Sequence, residues 1–454
     1  MPWTLRVAAI GAIVQIDGEA LTPAQRDLVT SAWRDAVAAD GDSVDAVVTP
    51  LLDVDDAEML ADLSQRVTLA AIDARRGEVW MLHAAGLTLD DGRVVALVGP
   101  SGRGKTTAAM TLGRSFGYVS DETVAIDADG RVWPYRKPLS VIDDPAAPKV
   151  QRTPSDAGMR ALPEAPLRLA GVVLLDRRAD APDVPVIEQV DLGDALADLV
   201  EQTSYLPSLE TPLQLLAGHV GRVGGVQRAV YREANALVDV LPALADGMGS
   251  EAVPVTAAPP QEETAVPLDP DGPAYFRAPI TDAVTLADPD RLAVLQVDEE
   301  GAGTVRVLAG VAPALWRAAN GASVDRLVAA AIDAYGTPGS ERDAATLVEV
   351  ALAQLVGAGL LEHRLARWSI VPAVPWVDSG DRVVLLPPRG DGLARALDPS
   401  GTLIWRELYE SGPIGLEGLA EAVAEAAGVP TAEVGPTLPP FLGELAELGA
   451  ARLS

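Results

Sequence analysis

The chain contains no cysteine in 454 residues. That excludes disulfides, thiolate metal centres and cysteine nucleophiles. Histidine occurs only three times, at His83, His219 and His363, so few imidazoles are available for metal or acid–base chemistry. Lysine is as scarce: Lys105, Lys137 and Lys149 are the only three, and every other fixed positive side chain is arginine. No run of 18 apolar residues occurs, and residues 1–20 lack a basic segment followed by a long apolar one, so the expectation is a soluble cytoplasmic protein away from membranes. Positive charge is also short overall. With 35 Lys+Arg against 65 Asp+Glu the formal net charge is −30, a field that repels nucleic-acid backbones and anionic lipid. What is present is ample core material: 48% of residues are hydrophobic and the mean hydropathy is +0.18. At about 150 residues per domain, the length accommodates roughly three domains.

Residues 248–272 combine Pro, Glu, Thr and Ala without apolar periodicity and read as a linker. Before it, in residues 1–247, short β-branched runs alternate with helix-like segments such as Pro23 to Ala39 and Thr106 to Arg114, which predicts an α/β domain. After it the chain repeats itself. RLAVLQV, ALWR, an Ala-rich amphipathic stretch and LAQLVGAGLLE in residues 273–365 correspond to RVVLLPP, LIWR, an Ala/Glu-rich stretch and FLGELAELGAARL in residues 366–454. Trp316 to Gly359 spans 43 residues and Trp405 to Gly449 spans 44, which predicts two copies of one small α+β, winged-helix-like module. A winged helix usually points to DNA. Here residues 271–364 carry 7 basic against 13 acidic residues and residues 366–454 carry 6 against 12, so neither copy offers the basic face that counterion release requires. Trp316 and Trp405, inside apolar helical stretches, read as core.

One motif carries chemistry. Gly99-Pro-Ser101-Gly102-Arg-Gly104-Lys105-Thr106 fits G-x-x-x-x-G-K-[ST], after the apolar run VVALV and before TTAAMTL. Its glycines allow backbone N–H groups to converge on an anion at a helix start, extended by Thr107. Lys105 is then placed for the outer phosphates of ATP and the Thr106 hydroxyl for Mg²⁺. His83, in WMLHAAG at the end of an apolar run, reads first as a structural histidine and second as a functional one. Asp121 and Glu122, in YVSDETVAID, suit metal ligation or general-base work on a hydroxyl, and equally a solvated turn. Asp176, after VVLL, has the shape of a Walker B acid or of an ordinary strand-end aspartate. Arg136 and Lys137 in YRKPLSV are within reason for phosphate contact or for an exposed basic loop.

LHAAG, LVGPSGRGKTT, GYVSDETVAID and WPYRKPLSV in this order resemble the HPr kinase-like family over residues 80–141. The resemblance implies a P-loop domain of the HPr kinase and phosphoenolpyruvate carboxykinase type. It also implies His83 as active-site histidine, Asp121 and Glu122 as the acidic pair containing the catalytic base, Mg²⁺ on Thr106 and Asp121, and a homo-oligomer. The pair here is Asp-Glu where HPr kinases carry two aspartates, and the downstream Glu-x-Arg-Gly signature is absent. The two C-terminal copies resemble PqqD-like domains, the recognition elements of ribosomal peptide pathways, which implies capture of a leader peptide as an added strand. The expectation is therefore a peptide-tailoring protein that holds a precursor peptide and phosphorylates one of its Ser or Thr residues. The alternative is a non-catalytic adaptor delivering the precursor to a separate modifying enzyme.

Overall fold

The computed structural model describes residues 3–39, 41, 43–100, 104–141, 150–247, 255–257, 273–286, 290–339, 343–365, 367–390 and 392–453. It is a mixed α/β protein with several sheets, in two compact units: Met1–Ala257 with Thr281–Pro289 and Ala293–Val307, and Ala258–Ile280 with Asp290–Leu292 and Leu308–Ser454.

The first unit is built around a six-stranded sheet. Its order across the sheet is Val186–Val190, Val226–Tyr231, Arg168–Arg177, Arg93–Val98, Ala84–Thr88, Gly117–Ser120. The central three, Val226–Tyr231, Arg168–Arg177 and Arg93–Val98, run parallel, and the outer neighbours are antiparallel. Both faces are covered, which explains the unbroken apolar run VVALV. Val94, Ala96 and Val98 point into one core with the helices Leu192–Glu201 and Pro212–Arg222. Val95 and Leu97 point into another with Ala108, Ala109 and Leu112 of the helix Lys105–Leu112. A second sheet, ordered Thr203–Ser204, Trp80–Leu82, Val124–Ile126, Val132–Trp133, closes the first core. The N-terminal strands Thr4–Ala9, Ala12–Asp17 and Ala46–Val48 make a third sheet under the helix Asp56–Ala74.

The units divide differently from the stretches legible in the sequence. Strands Asp282–Leu286 and Arg291–Val297 belong by position to the first C-terminal copy, yet Val284, Leu286, Ala293 and Leu295 are buried in the core of the first unit. The Asp282 carboxylate accepts from Gln214 at the start of the helix Pro212–Arg222. The expected linker, residues 248–272, lies outside the described residues except for the strand Val255–Ala257, which pairs with Asp282–Leu286.

In the second unit the two copies share an element order. Each opens with a strand that pairs antiparallel with the copy's last strand: Pro273–Arg277 with Leu361–Leu365, and Trp368–Ile370 with Ala451–Leu453. Between them stand a first helix holding a buried tryptophan, Trp316 or Trp405, a 12-residue second helix (Val324–Tyr335 or Leu416–Ala427) and a last helix. The last helices, Ala344–Gly357 and Leu438–Glu447, end alike. Gly359 and Gly449 take φ +69° and +68°, and the next N–H reaches back five residues, Leu360 to Leu355 and Ala450 to Leu445. That turn needs a left-handed residue, which is why glycine recurs at this spacing. Both tryptophans are core, with relative exposures of 2% and 0%. No described helix is long and apolar enough to cross a membrane.

Candidate active site

The site forms where two chain segments step from one sheet to the other. Leu82 pairs with Val124 in the small sheet, while Gly86 pairs with Ser120 in the large one. His83 lies at the crossing of one segment, and Asp121, Glu122 and Thr123 at the crossing of the other. The crossings must approach closely. A Cβ on Gly86 would sit 3.0 Å from Val124 and 3.1 Å from Val119, so the glycine of LHAAG is the residue that lets the segments nest. Ala84 in turn pairs with Val98, the residue before Gly99, which brings the start of the glycine-rich motif to the same place.

His83, Gly104, Lys105, Thr106, Thr107, Asp121, Glu122 and Lys137 line one cleft of about 400 Å³. Gly104 caps the helix Lys105–Leu112 at φ +94°, left-handed and open to glycine, and turns the chain from the loop into the helix. Lys105 is 7% exposed, and its Nζ donates to the Gly99 carbonyl at 2.5 Å. Burial lowers its pKa below the ordinary lysine value. Ser101 and Gly102 lie outside the described residues.

Burial and then the charge of Lys105 lower the His83 pKa below its ordinary 6.5, against an opposing pull from Glu122. The ring is therefore neutral at pH 7 and able to accept a proton. Asp121 accepts a 2.8 Å hydrogen bond from the hydroxyl of the fully buried Tyr118. Burial first, then Asp121, holds the Tyr118 pKa well above 10, so this hydroxyl stays a donor. Tyr118 was not singled out in the sequence, and its only signal there is a strand position three residues before Asp121. Lys137 is ion-paired with Glu122.

Arg136 and Lys137 part company. The Arg136 guanidinium donates to the carbonyls of Tyr118 (2.7 Å) and Arg160 (2.9 Å) and pairs with Asp35, which accepts from Ser155. It is a structural tie, 8% exposed. Asp176 does not join the cleft. It is the penultimate residue of the strand Arg168–Arg177, is ion-paired with Arg178 at 2.5 Å, and lines a separate cleft of about 360 Å³ on the side of Val98, Gly99 and Pro100. Among the described residues no group of three or more His, Asp or Glu forms a ready metal cage. Thr106 and Asp121 both line the cleft, and two oxygen donors of this kind fit a cation that keeps most of its shell from water and phosphate, as Mg²⁺ does.

No family model and no curated protein matches the chain. Among solved structures, the Hpr(Ser) kinase/phosphatase from Coxiella burnetii is similar to part of it, with 13% identity over 36% of this chain and 92% of that one at a TM-score of 0.21. A likeness of that extent leaves the chemistry to be read from the cleft itself.

Proposed function

We propose that the first unit is an ATP-dependent kinase of the HPr kinase-like type, and that the C-terminal copies are PqqD-like modules holding a precursor peptide whose Ser or Thr it phosphorylates. One observation carries this reading: His83, Lys105, Thr106, Asp121 and Glu122, drawn from three separate stretches of chain, line a single cleft. Lys105 and the amides at the start of the helix Lys105–Leu112 bind the phosphate chain. In the transfer, the acceptor hydroxyl oxygen bonds to the terminal phosphorus, the bond from that phosphorus to the bridging oxygen of ADP breaks, and Asp121 takes the hydroxyl proton. Tyr118 holds Asp121 in orientation by its 2.8 Å hydrogen bond. His83 and Glu122 orient phosphate and metal. Thr106 and Asp121 would hold Mg²⁺, which would neutralise phosphate charge when bound.

Peptide capture by strand addition supplies affinity through main-chain hydrogen bonds, so the kinase cleft itself needs little grip on the acceptor. Holding the peptide on the same chain as the cleft raises the local concentration of the acceptor there.

The test is reconstitution with ATP, Mg²⁺ and the peptides encoded beside the gene, read by mass spectrometry. A gain of one phosphoryl group, lost in Lys105→Ala, is expected. A peptide that binds but gains no phosphate overturns the kinase and leaves the adaptor, which tolerates Lys105→Ala in a complete pathway.

A further inference from the structure

The chain uses lysine three times, yet two of those lysines, Lys105 and Lys137, line the same cleft. Arginine serves every other fixed positive position in the sequence, so compact ammonium groups are concentrated where phosphate is read to bind. An ammonium is a point charge that can change partners by rotating its stem, whereas a guanidinium is committed to a planar fork.

Lys137 is held for such a task. Its neighbours fix the backbone on the N-terminal side: Tyr135 is 1% exposed with its hydroxyl 3.2 Å from that of Thr68, and Arg136 is tied to two carbonyls and to Asp35. The Lys137 side chain, 17% exposed, then reaches Glu122, which is 38% exposed. Both lysines line the cleft together with His83, and the charge of each, Lys105 more than Lys137, lowers the imidazole's pKa.

We infer that Lys137 is a second phosphate-binding cation of this cleft, kept on the Glu122 carboxylate until an incoming polyphosphate takes the ammonium. Glu122 is a latch in this arrangement. It neutralises Lys137 in the empty cleft, where a lone half-buried ammonium is unfavourable. On binding it gives up the lysine and turns, beside Asp121, toward the cation that accompanies the phosphates. The inference rests on the phosphate-binding reading of the cleft and specifies how that cleft is switched.

Titration calorimetry of the full chain with ATP and with inorganic pyrophosphate, with and without Mg²⁺, separates the two claims. Lys137→Met should weaken binding by about tenfold or more, and Lys137→Arg should recover part of it. Without Mg²⁺, Glu122→Gln should tighten binding several-fold by freeing the ammonium, and that gain should disappear in the double variant with Lys137→Met. On the unaltered chain, acetylation mapped by mass spectrometry should show pyrophosphate shielding both Lys105 and Lys137, a result independent of how any variant folds. Shielding of Lys105 alone overturns the inference. So does Lys137→Met binding as tightly as wild type, or a gain from Glu122→Gln that persists undiminished without Lys137. A wild-type chain that takes up neither ligand overturns the phosphate site itself.

Discussion

Lowering the pH from 7 to 5 should loosen the first unit through His219. This histidine is 1% exposed on the helix Pro212–Arg222. It is stacked on Trp80 with ring centroids 5.7 Å apart and planes 19° from parallel. Its Nδ1 lies 3.3 Å from the Arg222 guanidinium, and its Nε2 is buried with no hydrogen-bond partner among the described residues. Burial first and Arg222 second lower its pKa from 6.5 to about 4, with Asp127 opposing. The folded state therefore keeps the ring neutral where the unfolded chain protonates it. Stability is fully present above pH 6.5 and is lost as pH falls toward 4. With those two values the loss between pH 7 and pH 5 is about 2 kcal/mol. Trp80 begins the strand Trp80–Leu82, which leads directly into His83, so acid should also disturb the cleft. Urea unfolding at several pH values, wild type against His219→Gln, isolates the effect, because glutamine loses the stacking equally at every pH but does not titrate. The wild-type curve should fall more steeply below pH 6.5. Parallel curves for the two proteins would refute the assignment.

Three further substitutions probe how the crossing is built. Gly86→Ala places a methyl against Val119 and Val124, so urea unfolding should show a loss of about 1–3 kcal/mol, and phosphate affinity should fall with it. An unchanged midpoint would mean that the two crossings are not held in close contact. Tyr118→Phe removes the donor to Asp121; equilibrium unfolding should register about 1 kcal/mol, with a larger proportional fall in any transfer rate than in ATP affinity. Equal falls in rate and affinity would assign Tyr118 to binding and not to Asp121. Gly104→Ala forces a left-handed backbone on alanine at a cost of about 1–2 kcal/mol, and calorimetry should find pyrophosphate uptake reduced. Undiminished uptake would show that the turn into the helix tolerates a side chain.

The sequence made the glycine turn into the helix Lys105–Leu112 and the repeated C-terminal copies readable because both are local. Gly104-Lys105-Thr106 is contiguous, and Gly359 and Gly449 recur because one helix-ending turn demands them. The cleft as a whole was readable only as separate parts. His83 and Asp121 meet because two segments change sheets at the same height, and the pairings Leu82 with Val124 and Gly86 with Ser120 join residues about 40 apart. Asp176 resembled a metal ligand because its strand does lie beside Arg93–Val98, the strand leading to Gly99. In three dimensions it faces Arg178 in the other cleft. Strands Asp282–Leu286 and Arg291–Val297 misled by position, since an alternation of apolar residues specifies a buried face without saying whose core it enters.

The uptake of ATP with Mg²⁺ by the purified chain, measured by titration calorimetry beside Lys105→Ala, tests the central claim most directly. Saturable binding by wild type, weakened about 10- to 100-fold by the substitution, is the predicted result. No uptake by wild type, or equal uptake by both proteins, would contradict it.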